Sequence, residues 1–172
     1  IGFREQNNRY LADLDTCKVL LPSVGVSFDP LRQALMQLLN YRSIAQIELT
    51  AGDTITGIIV RHLEPLTESD TQVLINYGQQ HHIYIYLQPK GPETVHLIWP
   101  IEGAQDLSYT LMQENIILKF NPLDFIQVNA DINQLMVAQA LIHLDLNASD
   151  QVLDLFSGLG NFTLPIAKYA AS

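Results

Sequence analysis

A chain of 172 residues with 48% hydrophobic and 16% charged side chains is long enough to bury a core and too apolar to be disordered. Eighteen acidic residues against nine basic ones leave a formal charge of -9, which argues against a continuous polyanion-binding surface. No apolar run approaches the roughly 18 residues of a membrane span, nothing resembles a signal peptide, and the single cysteine, Cys17, excludes an internal disulfide and suits a reducing cytoplasm.

The sequence opens Ile1-Gly2 without an initiator methionine, in strand-like sequence, and reads as an internal piece of a longer protein. Ile1 to Arg4 and Tyr10 to Leu14 are predicted strands joined by the polar turn Glu5 to Arg9. Asp15 to Ser23 reads as a loop, with Pro22 and small polar residues. Asp29 as N-cap and Pro30 at the first helical position open a helix whose stripe is Leu31, Leu35, Leu38 and Leu39, ending near Asn40. Ile44 to Thr50 and Thr54 to Val60 alternate apolar and polar residues around Ala51-Gly52-Asp53, a predicted hairpin. Thr67 or Ser69 caps a second helix with Leu74 and Tyr77 on one face and Gly78 near its end. Glu64, Glu68 and Asp70 read as its solvated entrance. Ile83 to Leu87 is strongly β-forming, and strands follow at Thr94 to Trp99, Leu107 to Met112 and Asn115 to Phe120.

Strand pairs punctuated by helices predict an α+β domain with a largely antiparallel sheet covered on one face. From Phe120 the grammar changes. A loop over Asn121 to Asn129 leads to a predicted helix over Ile132 to Leu144, with Val137, Ala140, Leu141 and Leu144 on one face. Asn147 to Asp150 then connects to a parallel strand, Val152 to Phe156. These elements place a domain boundary near Leu123, giving units over 1–123 and 124–172.

The strand delivers its end to the turn Gly158-Leu159-Gly160, the position where open α/β sheets bind ligands. A dinucleotide fingerprint requires a third glycine where Thr163 stands, and a phosphate P-loop requires a Lys-Ser/Thr pair that is absent. What remains is Asp154 near a strand end and two glycines that let backbone approach a ligand closely. That pattern suits S-adenosylmethionine better than a pyrophosphate; a bare structural turn is the competing reading.

Taken with Phe120-Asn-Pro-Leu-Asp-Phe-Ile-Gln-Val-Asn-Ala130, the block Val152-Leu-Asp-Leu-Phe-Ser-Gly-Leu-Gly-Asn-Phe-Thr-Leu-Pro165 closely resembles the bacterial 23S rRNA (uracil-5-)-methyltransferases of the RumA (RlmD) family. Gly2-Phe3-Arg4 and the Asp15 to Leu21 region are similar to the family's central domain. Ser157 departs from the family, where many members have cysteine. The resemblance implies an α+β central, RNA-contacting domain followed by the start of a Rossmann-like α/β methyltransferase domain. It also implies methyl transfer from S-adenosylmethionine to C5 of a uridine in 23S rRNA. In the family a cysteine thiolate adds to C6, C5 takes the methyl group, and a general base removes the C5 proton. The motifs for nucleophile and base lie beyond Ser172, so no catalytic residue is assigned and the chain is expected to be inactive alone.

The resemblance further implies that Gln127 contacts the methionine end of the cofactor, that Phe156 and Asn161 are two more cofactor positions beside Asp154, Gly158 and Gly160, and that Phe125 stacks near the target uridine. Core packing competes for Phe125 and Phe156, and loop capping for Gln127 and Asn161. Asp15-Thr-Cys-Lys-Val-Leu-Leu-Pro22 resembles the segment carrying the fourth cysteine ligand of a [4Fe-4S] cluster, so Cys17 is one iron-sulfur ligand whose three companions are absent; here it is expected to be a free, partly exposed thiol. Two further readings share parts of the pattern: a non-catalytic RNA-binding module with a basic patch at Arg4, Arg9 and Lys18, and a different class I methyltransferase. His81-His82, read as a strand edge, has no ligand spacing, nor do His62, His96 and His143. No membrane partner is expected. An unpaired Val152 to Phe156 strand is expected to promote self-association.

Overall fold

The computed structural model describes residues 1–6 and 10–171; Arg9 of the expected basic patch lies outside the described residues. The chain forms two compact units, one of Ile1–Ala51 and Ile55–Ala104, the other of Gly52–Thr54 and Gln105–Ser172. Leu123 falls inside the second unit, which also takes in the hairpin before it.

The first unit opens with strands β1 (Gly2–Arg4) and β2 (Leu11–Asp13), paired antiparallel. A single helical turn, α1 (Pro22–Gly25), replaces the expected loop, because the amides of Val24 and Gly25 close back on the Leu21 carbonyl. Helix α2 (Asp29–Met36) carries Pro30 in its first turn as expected. Asp29, however, does not cap it: its carboxylate takes the Arg32 guanidinium, which also reaches the Leu14 carbonyl at 2.9 Å. The central sheet has the order β3 (Ile44–Ala51), β4 (Thr56–His62), β5 (Ile83–Gln88) and β6 (His96–Trp99). Its outer pairings, β3 with β4 and β5 with β6, are antiparallel, whereas β4 and β5 run parallel. The parallel pair arises because helix α3 (Glu68–His81) carries the chain back across the sheet.

The core of this unit lies between that sheet and helices α2 and α3. Ile58, Val60, Ile83, Ile85 and Leu87 from the strands meet Leu31, Leu74 and Tyr77 from the helices. Gly78 stands near the end of α3 as expected, and it permits close packing, since a β-carbon there would come within 2.6 Å of the Trp99 ring and 2.7 Å of Ile85. The helix ends at His81, with His82 in a left-handed conformation as its C-cap, so the histidine pair is a helix terminus and not a strand edge.

Asp70 also departs from expectation, being only 3% exposed. With Thr67 it forms a reciprocal cap: the Asp70 amide donates to Thr67 Oγ1 and the Thr67 amide to Asp70 Oδ2, each at 3.1 Å. Its other oxygen accepts the Leu39 amide at 2.8 Å, tying the end of α2 to the start of α3. Burial pushes this carboxyl's pKa up, but the amides of Leu39 and Thr67 and the Thr67 hydroxyl together outweigh that and hold it below its ordinary value of 3.8. The group therefore contributes stability above its unfolded-state pKa, lost as pH falls through the lower folded value. Asp70→Ala is expected to cost about 1–3 kcal/mol at neutral pH, with the gap narrowing below about pH 4. Urea unfolding followed by circular dichroism checks this, and an unchanged midpoint at pH 7 would refute it.

The second unit is built on the hairpin β7 (Ser108–Leu111) and β8 (Ile116–Lys119), helix α4 (Ala130–Leu144) and the single turn α5 (Thr163–Ile166). Leu111, Leu118 and Val137 form its buried centre, with Tyr109, Leu141, Leu159 and Phe162 packed around them. The strand expected over Val152 to Phe156 does not form: the segment has no ladder partner among the described residues, and a parallel strand exists only through its neighbours.

Candidate functional site

Every residue expected at the cofactor and uridine positions lies in the second unit, on two loops that flank α4. The first loop is pinned at both ends. At its start the amide and side-chain nitrogens of Asn121 donate to Asp124 Oδ2 at 2.6 and 3.0 Å, and the Asp124 amide returns to the Asn121 carbonyl at 2.9 Å. At its end Asn129 caps α4, its Oδ1 accepting the Ile132 amide at 3.0 Å. Between these corners Phe125 is 81% exposed and Gln127 is exposed as well. Neither packs into a core, so the competing reading of Phe125 as a core residue is not what the fold shows. An aromatic ring held in solvent on a two-point anchored loop is suited to stacking on a planar ligand.

The second loop begins with an equivalent corner, where the amide and side-chain nitrogens of Asn147 donate to Asp150 Oδ2 at 2.8 and 2.7 Å. After the extended segment, Phe156, Gly158 and Gly160 all take positive φ, at 62°, 56° and 90°. Such a conformation is costly for an aromatic residue, and it turns the Phe156 side chain fully into solvent. Gly160 is buried, and a β-carbon there would meet the Leu164 side chain at 3.1 Å, whereas nothing lies within 4 Å of the same position on Gly158. Gly160 is thus required by the fold, while Gly158 leaves its backbone open to close approach by a ligand.

Asp154 accepts the Thr163 hydroxyl at 2.5 Å, closing the turn from the segment before it to the helical turn after it. Asn161 is drawn inward. Its Nδ2 donates to Asn133 Oδ1 at 2.8 Å, while its Oδ1 accepts Asn133 Nδ2 at 2.9 Å and the Tyr109 hydroxyl at 3.1 Å. The turn is therefore bolted to both α4 and β7. Neither Tyr109 nor Asn133 was singled out from the sequence; the available signal was an asparagine one helical turn before Val137 on the apolar face of α4.

The segment after α5 is fastened too. Lys168 Nζ donates to the Glu114 carbonyl at 2.5 Å and the Tyr169 hydroxyl to Glu114 Oε2 at 3.0 Å; that bond to Glu114 raises the Tyr169 pKa. The Ala171 amide reaches the Asp150 carbonyl at 2.9 Å. Among the described residues no hydrogen bond joins the side chains of Gln127, Phe125 or Phe156 to the glycine turn's network, so the structure draws Asp154, Gly160 and Asn161 into the turn and leaves the first three facing solvent.

Cys17 belongs to the first unit, half-buried against its core, with its amide donating to the Gly25 carbonyl at 2.8 Å. It is a free thiol. Among the described residues no group of three or more His, Cys, Asp or Glu side chains could hold a metal ion. A four-iron cluster needs four ligands, so the residues present do not fit one.

Comparison with known proteins gives a consistent result. The family model described as tRNA (Uracil-5-)-methyltransferase matches residues 103–172. A protein of Hahella chejuensis named 23S rRNA (uracil(1939)-C(5))-methyltransferase RlmD is 48% identical over 171 residues, covering 99% of this chain and 38% of the relative. A protein of the same name from Alcanivorax borkumensis is 49% identical over 170 residues, with the same coverage of 99% and 38%. The chain thus spans 38% of the length of these curated relatives. Among solved structures, Pyrococcus abyssi tRNA (uracil-54, C5)-methyltransferase in complex with S-adenosyl-L-homocysteine superposes with a TM-score of 0.65 at 18% identity, covering 92% of this chain and 40% of that one. At that identity the likeness is one of fold, and it supports the mixed α and β architecture described above.

Proposed function

Because the chain is a close homologue of a segment of the 23S rRNA (uracil-C5)-methyltransferases, we propose that it serves methylation of C5 of a uridine in 23S rRNA, in the cytoplasm. In this reading the first unit contacts RNA and the second opens the methyltransferase domain. The observation that carries it is the 48% identity over 171 residues, a span that takes in both loops flanking α4. S-adenosylmethionine would supply the electrophilic methyl group. The exposed Gln127 amide, able to donate and to accept, binds its methionine end. Gly158 admits it against open backbone, Asp154 and Gly160 set the shape of the turn, and Phe156 and Asn161 line its entrance. The exposed Phe125 stacks on the uracil. Cys17 is one of four cysteine ligands of an iron-sulfur cluster only where the other three are supplied.

These residues form one wall of a cofactor site. The chain is accordingly expected to bind S-adenosylmethionine more weakly than an RlmD-named relative of full length, by at least about tenfold, equivalent to ~1.4 kcal/mol. Calorimetric titration of the two side by side tests this, and equal affinities would show that the wall is already the whole site.

The same incompleteness bears on assembly. Leu153 and Leu155 are exposed on a segment without a ladder partner among the described residues. Unpaired apolar backbone of this kind pairs between copies. Light scattering is expected to show concentration-dependent self-association, and a strict monomer at high concentration would count against it. Among the described residues no helix is long and apolar enough to cross a membrane.

A further inference from the structure

Asn161 is committed to its neighbours more completely than a residue waiting for a ligand would be. A carboxamide has two acceptor sites on oxygen and two hydrogens on nitrogen. Both acceptor sites are filled, by Asn133 Nδ2 at 2.9 Å and by the Tyr109 hydroxyl at 3.1 Å, and one hydrogen is spent on Asn133 Oδ1 at 2.8 Å. One N–H remains. Asn133 is only 3% exposed, so water cannot replace its half of the reciprocal pair. Tyr109 comes from β7 and Asn133 from α4, two elements of the unit's core, and together they fix the place of the Asn161 amide and which of its hydrogen-bonding groups are already spent.

We infer that Asn133 and Tyr109 are positioning residues that hold Asn161 as a pure hydrogen-bond donor, so that the ligand group it takes is an acceptor: a carboxylate, a hydroxyl oxygen or an unprotonated ring nitrogen. This rests on the reading of the glycine turn as the cofactor turn. It goes beyond that reading by assigning roles to two residues outside the turn and by fixing the polarity of one contact.

The test uses the 172-residue chain labelled with ¹⁵N, titrated to millimolar S-adenosylhomocysteine and followed by NMR. In the unsubstituted chain the Asn161 side-chain amide is expected to exchange with solvent on the order of tenfold more slowly than a free asparagine amide, and to shift when ligand is added. Asn133→Asp sets a carboxylate oxygen against Asn161 Oδ1 with no change in shape. It is expected to abolish the slow exchange and weaken ligand binding on the order of tenfold, while the backbone amide of Val137 stays protected. Tyr109→Phe, which removes a single donor, keeps the test open if the first variant fails to fold, and is expected to weaken binding about threefold. Exchange at Asn161 that is equally fast in all three proteins overturns the positioning role. Slow exchange lost in the variants with ligand affinity unchanged overturns its relevance to binding. Slow exchange with no ligand-induced shift in the unsubstituted chain overturns the cofactor reading of the turn, and the donor assignment with it.

Discussion

Incubated with S-adenosylmethionine and a uridine-containing RNA, the 172-residue chain is expected to transfer no methyl group above background, at least about 10⁶-fold below a complete enzyme. The reason is chemical. C5 of uracil is too weak a nucleophile to take a methyl group unaided, and the route proposed for this family has a thiolate add to C6 first. The only thiol in the chain is Cys17. It sits in the first unit, half-buried against that unit's core, and its loop resembles a cluster-ligand segment rather than a catalytic one. Both loops flanking α4 offer shape, stacking surface, amides, hydroxyls and carboxylates, but no thiol. The assay is transfer of labelled methyl to RNA, with a full-length RlmD-named relative as positive control. Turnover by the chain that disappears on Cys17→Ser would make Cys17 the nucleophile and reverse the assignment.

Leu74→Ala is expected to destabilise the first unit by about 2–5 kcal/mol. Leu74 is 0% exposed and lies on the face of α3 that meets Ile58, Val60, Ile83 and Ile85. The chain crosses from β4 to its parallel neighbour β5 through this helix, so a cavity under Leu74 falls at the contact that holds helix and sheet together. Domains of this kind have stabilities of roughly 5–15 kcal/mol, so a large fraction of the total would be lost. Urea unfolding of the variant against the unsubstituted chain measures it. A loss below about 1 kcal/mol would mean that the site collapses around the smaller side chain and that the helix is held chiefly by its cap at Thr67 and Asp70.

Much of the fold was legible because local rules and tertiary packing agreed. Thr67 was readable as a cap since hydroxyl, spacing and the following apolar stripe all pointed to one helix start, and Asn129 performs the same task for α4. The glycine turn was legible for a similar reason: Gly158 and Gly160 do adopt positive φ, which few other residues tolerate. Gly78 lies near the end of its helix, as the sequence suggested, but only the fold shows that its missing side chain lets a tryptophan lie against the helix. Asp70 misled because an acid in a first helical turn is commonly solvated, and the Leu39 amide that buries it comes from 31 residues away.

The sequence by itself determined where α3 starts, which residues form the glycine turn, and, through motif resemblance, which chemistry to look for; those are short-range properties set by side-chain type and backbone permissiveness. Only the tertiary structure decided the rest. Val152 to Phe156 has the composition of a strand yet forms none, because a strand is defined by its neighbours and none pairs with it among the described residues. Asn161 reads in sequence as a cap or a ligand residue; Tyr109 and Asn133, 52 and 28 residues away, decide that its oxygen is spent and one N–H is left to offer. Hydrogen-bond capacity is fixed by residue type, but its allocation depends on what the fold brings within 3 Å or so.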